Sequence, residues 1–134
     1  ALKYPDHGVE FYGNTLIASP KMLSEQPKAV EGFVRAFNKA LKETVASPDT
    51  AVLAVKERDP LINVALESQR LKLALDSVVV TPETRSLGLG AVDPERMKRS
   101  VAEAATAFGL PTTPDASALF TAAYLPSAAD RAIK

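Results

Sequence analysis

A mainly α-helical chain, about six helices with one or two short strands, is what this sequence predicts, and two observations carry the prediction. Prolines follow capping residues at Ser19-Pro20, Ser47-Pro48, Asp93-Pro94 and Thr113-Pro114. At such sites the side-chain oxygen accepts from the orphan amides of a first helical turn, while proline at the first helical position costs no hydrogen bond. Further along, Val30, Phe33, Val34, Phe37, Leu41 and Val45 recur at three- and four-residue steps, forming one apolar stripe from Pro27 to Ala46. With 134 residues, 46% hydrophobic and 24% charged, the chain is large enough to bury a core without disulfides.

The first segment, Gly8-Val9-Glu10-Phe11-Tyr12-Gly13-Asn14-Thr15-Leu16-Ile17-Ala18-Ser19, is rich in aromatic and β-branched residues and reads as extended chain with a bend or close approach at Gly13. A short helix follows Ser19 and is broken at Gln26-Pro27, because proline disfavours helix in the residue before it. The long helix comes next. Its apolar stripe is expected inside, Phe33 and Phe37 included, with Lys28, Glu31, Arg35, Lys39, Lys42 and Glu43 on the other face. A third helix starts at Ser47-Pro48-Asp49 and stops at the charged run before Pro60. The fourth covers about residues 61–77 and is expected to bury Ile62, Leu66 and Leu73 with Leu71 and Leu75. Residues 78–92 read as a loop with one short strand, since three valines, Pro82 and Gly88-Leu89-Gly90 share no period. Asp93-Pro94-Glu95 opens a fifth helix with Met97, Val101, Ala104, Ala105 and Phe108 inward, and Gly109 supplies its C-terminal cap. A last helix is expected from Pro114 to about Ala123, with residues 127–134 partly frayed. The segments do not superimpose as repeats, which argues against a solenoid.

Composition removes several function classes. Sixteen Lys and Arg balance sixteen Asp and Glu, leaving no net field to attract nucleic acid. No apolar run approaches the roughly 18 residues of a membrane span. Without cysteine there is no disulfide, thiolate nucleophile or cysteine-ligated metal. The N-terminus has neither a leader pattern nor an initiator methionine, and the expectation is a processed or truncated chain.

Enzymatic signals are weak. His7 beside Asp6 is the one histidine, and a terminal loop is where histidine is usually just solvated. No nucleophile elbow, phosphate loop or metal-spaced histidine cluster occurs, and Gly88-Leu89-Gly90 lacks the third glycine of a dinucleotide fingerprint. Carboxylates near lysines, such as Glu43 with Lys39, read as solvated helix surface. No catalytic residue, cofactor or metal site is expected. The stretch Glu10-Phe11-Tyr12-Gly13-Asn14-Thr15 has a better claim, combining an aromatic ring that can stack on a planar ligand, an amide that donates and accepts, and a glycine that admits close backbone approach. A strand with a bulge explains the same composition equally well.

Tyr12-Gly13-Asn14-Thr15-Leu16-Ile17-Ala18-Ser19, then Glu25-Gln26-Pro27-Lys28-Ala29-Val30 and Phe33-Val34-Arg35-Ala36, resembles substrate-binding proteins of bacterial ABC transporters, in the branch serving nitrate, sulfonates, taurine and thiamine pyrimidine precursors. Ala46-Ser47-Pro48-Asp49-Thr50-Ala51, Gly88-Leu89-Gly90-Ala91-Val92-Asp93-Pro94-Glu95-Arg96 and Leu119-Phe120-Thr121-Ala122-Ala123-Tyr124-Leu125-Pro126 extend the resemblance over nearly the whole chain.

The resemblance implies part of a two-lobed α/β periplasmic-binding-protein fold of type II. Residues 1–134 would be a single C-terminal fragment, with 1–19 an extended crossover segment and 20–134 helical. It implies a non-enzymatic protein that binds a small solute, delivers it to a membrane permease, and works in the periplasm or anchored by lipid outside the cell. By position in the motif, Tyr12 and Asn14 would line the pocket, with Glu10 and Thr15 behind them. Asn and Glu suit the ring nitrogens and amino group of an aminopyrimidine, whereas an anion prefers Arg or backbone amides. The competing readings are a helical protein-interaction module, for which a dimer through an exposed apolar face is the expected sign, and an enzyme of the pyrimidine-synthase type. The latter resembles its relatives through a cysteine-rich motif absent here. A dimer through surface exposed by truncation is also expected on the fragment reading.

Overall fold

The computed structural model describes residues 4–133, so the expectations for the first three residues and for Lys134 lie outside the described part. Among the described residues the chain is mainly helical and has no strand. After a 3-10 turn at Tyr4–His7 come α1 (Pro20–Glu25), α2 (Pro27–Ala46), α3 (Pro48–Arg58) and α4 (Val64–Ala74). A π-turn at Leu75–Val79 leads to α5 (Pro82–Leu87), α6 (Pro94–Ala107), α7 (Ala116–Leu119) and α8 (Ala128–Arg131). No described helix is long and apolar enough to cross a membrane. The residues group into two compact units, one made of the chain up to Pro27 with Val92–Ala123, the other of Lys28–Ala91 with the chain from Tyr124 on.

In the second unit α2 starts and stops where the sequence expects, but it buries different residues. Val30 and Asn38 are buried, and Val34, Leu41 and Val45 are half-buried. Phe33 and Phe37 are exposed, contrary to expectation, and their rings stack on each other with centroids 6.4 Å apart. The buried line therefore runs Val30, Val34, Asn38 in four-residue steps, because the Asn38 amide has a partner inside: its Nδ2 donates to the Leu89 carbonyl at 3.2 Å.

Proline opens α3 as expected, although the Ser47 side chain makes no capping bond. Helices α3 and α4 pack together over Val52, which is 3% exposed. Between them, Lys56 Nζ donates to the Ile62 carbonyl at 3.1 Å and also to that of Pro60, closing the loop. Asn63 caps α4 by accepting from the Leu66 amide at 3.1 Å, so the helix begins later than residue 61. Of its expected core residues, Leu75 is buried, Ile62 and Leu71 are half-buried, and Leu66 and Leu73 are exposed. The Lys72 ammonium and the Ser68 hydroxyl, both hydrogen-bonded to Asp49, hold that carboxyl below the usual carboxylate range.

The loop expected over residues 78–92 contains a helix instead of a strand. Thr81 accepts from the Thr84 amide at 3.1 Å and Pro82 follows, the same start signal as elsewhere. The valines lie in the π-turn and just after it, where they pair with nothing sheet-like. Beyond α5 the chain turns through Gly88 at φ +82° and Gly90 at φ +79°. Between them Leu89 is 1% exposed, the largest fully buried side chain. Its amide donates to the Arg131 carbonyl at 3.0 Å, and its carbonyl accepts from Arg131 Nη1 at 3.2 Å. Arg131 also donates from Nη1 to Leu87 at 2.9 Å and from Nε to Pro126 at 3.0 Å. The C-terminal segment is therefore clasped rather than frayed, with Ser127 accepting from the Asp130 amide to cap α8.

In the first unit, residues 9–19 run without turn or bend but find no strand partner, which is why the expected strand is missing. Ser19 caps α1 by accepting from the Met22 amide at 3.2 Å. Helix α6 opens at Asp93, whose Oδ1 accepts from the Arg96 amide at 2.7 Å. It closes at Gly109 (φ +61°) with the Gly109 amide donating to Thr106 and the Leu110 amide to Ala105, the paired bonds of a Schellman motif. Ser100, Val101 and Ala105 are buried, whereas Phe108, expected inside, is 81% exposed. Thr113-Pro114 does not open α7. Asp115 does, because its carboxylate bonds both the amide and the hydroxyl of Ser117, which hold it below the usual carboxylate range.

Candidate functional site

The stretch singled out in the sequence splits into a pinned half and an open half. In the pinned half, Glu10 and Phe11 are held through their backbone carbonyls by one face of α6. Arg96 Nε donates to Glu10 at 3.0 Å, Arg96 Nη2 to Phe11 at 3.2 Å, and the Ser100 hydroxyl to Glu10 at 3.1 Å. Arg96 and Ser100 stand four residues apart, one helical turn, so both point the same way. The Glu10 carboxylate lies 3.6 Å from Arg99 Nη2, an exposed pair that contributes little.

Tyr12 is half-buried at the same place. Its phenolic oxygen accepts from the Asp93 amide at 2.7 Å, and the Arg96 guanidinium carbon lies 4.2 Å from its ring centroid. The amide that Tyr12 satisfies belongs to the N-cap residue of α6, so ring and helix start are fixed together. One arginine thus joins a capped helix, two carbonyls and an aromatic ring.

In the open half, Gly13, Asn14 and Thr15 are exposed, and no side-chain hydrogen bond engages Asn14 or Thr15. The structure therefore brings Glu10 and Tyr12 together on α6 and leaves Asn14 and Thr15 facing outward. Among the described residues no group of three or more His, Cys, Asp or Glu could hold a metal ion. A groove of about 620 Å³ lies elsewhere in this unit, lined by Met97, Lys98, Ala102, Asp115 and Phe120 among others, and none of the four sequence-selected residues lines it.

Arg96, Ser100 and Asp93 escaped the sequence reading as partners of Glu10, Phe11 and Tyr12, because they lie more than 80 residues away and only the capping role of Asp93 has a local signature. Replacing Arg96 by alanine is expected to cost about 1 kcal/mol, for loss of the carbonyl bonds and the ring contact at a partly exposed site. Hydrogen exchange at the Asp93 amide, which donates to the Tyr12 hydroxyl that Arg96 holds in place, is the measurement, with faster exchange there and little change in α3 and α4.

Residues 1–51, of 134, match the family model described as NMT1/THI5 like. That family is associated with ABC-type solute binding and with the thiamine pyrimidine precursor, and it is mostly substrate-binding, although one of its namesakes can act as an enzyme. No curated protein matches the chain. No solved structure matches it either.

Proposed function

We propose that this chain is the C-terminal portion of the solute-binding component of an ABC importer, and that it holds a small, neutral heteroaromatic solute of the aminopyrimidine kind. The carrying observation is that the family match covers the whole of the extended segment bearing Glu10, Tyr12, Asn14 and Thr15. In this reading no bond is made or broken. Solute contacting two lobes stabilises the closed state through its higher affinity for that state, and a membrane permease outside the cytoplasm reads the closure.

The side chains fit the assignment in three ways. Tyr12 is held rigid by Asp93 and Arg96, so stacking a planar ring on it costs little side-chain entropy. The Asn14 amide, one donor group and one acceptor group, can pair with a ring nitrogen and its neighbouring amino group. The nearby arginines already engage the Glu10 and Phe11 carbonyls and the Glu10 carboxylate, which favours a neutral ring over nitrate, taurine or another sulfonate.

A thermal-shift series against aminopyrimidines, taurine, alkanesulfonates and nitrate tests the reading. Solute at about 100 times its dissociation constant adds roughly 2.7 kcal/mol of stability. The expected result is a rise in Tm with aminopyrimidines, lost in Asn14→Ala. A rise of equal size in Asn14→Ala and Tyr12→Ala sinks the site.

A second reading, a helical interaction module, draws support from the exposed, stacked Phe33 and Phe37 on α2. It predicts that Phe33→Ser with Phe37→Ser removes partner binding while leaving solute shifts untouched.

A further inference from the structure

The Tyr12 ring carries a fixed positive charge over one of its faces. The Arg96 guanidinium carbon lies 4.2 Å from the ring centroid, within the reach of a cation–π contact. Neither partner swings away freely. Arg96 Nε and Nη2 hold the Glu10 and Phe11 carbonyls, and the Tyr12 oxygen is tied to the Asp93 amide at 2.7 Å. The carboxylates beside this contact are engaged as well, Glu10 with Arg99 at 3.6 Å and Asp93 Oδ1 with the Arg96 amide at 2.7 Å. Glu95 lines the separate groove.

We propose that Arg96 sets the charge selectivity of the Tyr12 site, admitting a planar ring when it is neutral and rejecting the same ring as a cation. The inference rests on the solute reading above and adds to it the residue that enforces it. Tyr12 is half-buried and the guanidinium covers one face, so a solute stacking on the ring takes the other. The cation already draws π-electron density towards itself, which leaves the opposite face a poorer partner for a second positive charge and no worse a partner for a neutral ring. Coulomb repulsion acts in the same direction. A cationic solute stacked there sits about 8 Å from the guanidinium, where two unit charges near a protein surface shift an equilibrium roughly five- to tenfold after salt screening. Because Arg96 is held by two carbonyls and is charged at every working pH, it neither withdraws nor neutralises when a cation arrives.

The test is isothermal titration of the whole chain with an aminopyrimidine and with its ring-N-methylated, permanently cationic form, at a pH where the parent compound is neutral. The expected result is a dissociation constant roughly five- to tenfold lower for the neutral ring. Arg96→Gln removes the charge and keeps a polar side chain, so the preference should fall to near unity even though both affinities drop as Tyr12 loosens. Lys98→Gln removes the same charge two residues along α6, on the face lining the separate groove, and should leave the preference as it was. Circular dichroism of the solute-free variants checks that both fold. Raising the salt concentration tenfold on the unaltered chain needs no variant and should narrow the preference, because screening weakens repulsion and leaves stacking in place. Equal affinities for the two forms in the unaltered chain, a preference unchanged by salt or by Arg96→Gln, or an equal fall in Lys98→Gln overturns the role of Arg96 while leaving the solute reading intact. Binding of neither form overturns both.

Discussion

Replacing Gly88 by alanine is expected to lower the unfolding free energy by about 2–4 kcal/mol, the sum of a backbone cost and a steric one. Gly88 stands at φ 82° and ψ 162°, a conformation essentially restricted to glycine. A Cβ built there would lie 3.0 Å from both Cβ and Nη1 of Arg131 and 3.4 Å from its carbonyl carbon. Arg131 cannot simply move aside, since its guanidinium holds the carbonyls of Leu87, Leu89 and Pro126. Gly109→Ala is the comparison, because Gly109 also has positive φ but nothing lies within 4 Å of its added carbon. That change should cost only about 1 kcal/mol. Urea unfolding followed by the helical signal measures both, and equal losses would show that contact with Arg131 adds nothing.

Leu89→Ala should cost about 2–5 kcal/mol, the range for truncating a buried leucine whose site relaxes only in part. Collapse is hindered here, because the flanking backbone is tied down by the Arg131 carbonyl, the Arg131 guanidinium and the Asn38 amide. Leu89→Met keeps the volume and should cost less than about 1.5 kcal/mol. The contrast between the two variants, read by urea midpoint, separates a packing role from simple chain connection.

What the sequence revealed and what it concealed follow the range of the forces involved. Capping is local, so the starts of α1, α2, α3 and α6 are readable from their prolines, and Gly109 from its position after the apolar pattern. The same signal at Thr81-Pro82 went unread because valines and glycines around it suggested a strand, and at Thr113-Pro114 the nearby Asp115 proved the better cap. Burial is not local. Asn38 and Phe37 are neighbours on α2, and hydrophobicity alone chooses the phenylalanine for the interior. The choice is reversed by a carbonyl 51 residues away that needs a donor. The candidate site divides along the same line. Its extended character and its chemistry are visible in residues 10–15, while the arginine and serine that fix Glu10 lie 86 and 90 residues further on, with no pattern linking them.

The arginine clasp also dictates an order of events during synthesis. Asn38, Leu89 and Arg131 must meet, and 42 residues separate the last two. At ordinary elongation rates of about 5–20 residues per second, roughly 2–8 s pass between the emergence of Leu89 and that of Arg131. Helices α2 to α5 need only microseconds to form, so they wait with the Leu89 amide short of its acceptor, the Arg131 carbonyl, and the leucine itself without its cover. A nascent chain stalled within that interval presents an apolar side chain and an unsatisfied loop to whatever chaperone or protease stands at the exit. Release of residue 131 withdraws both at once.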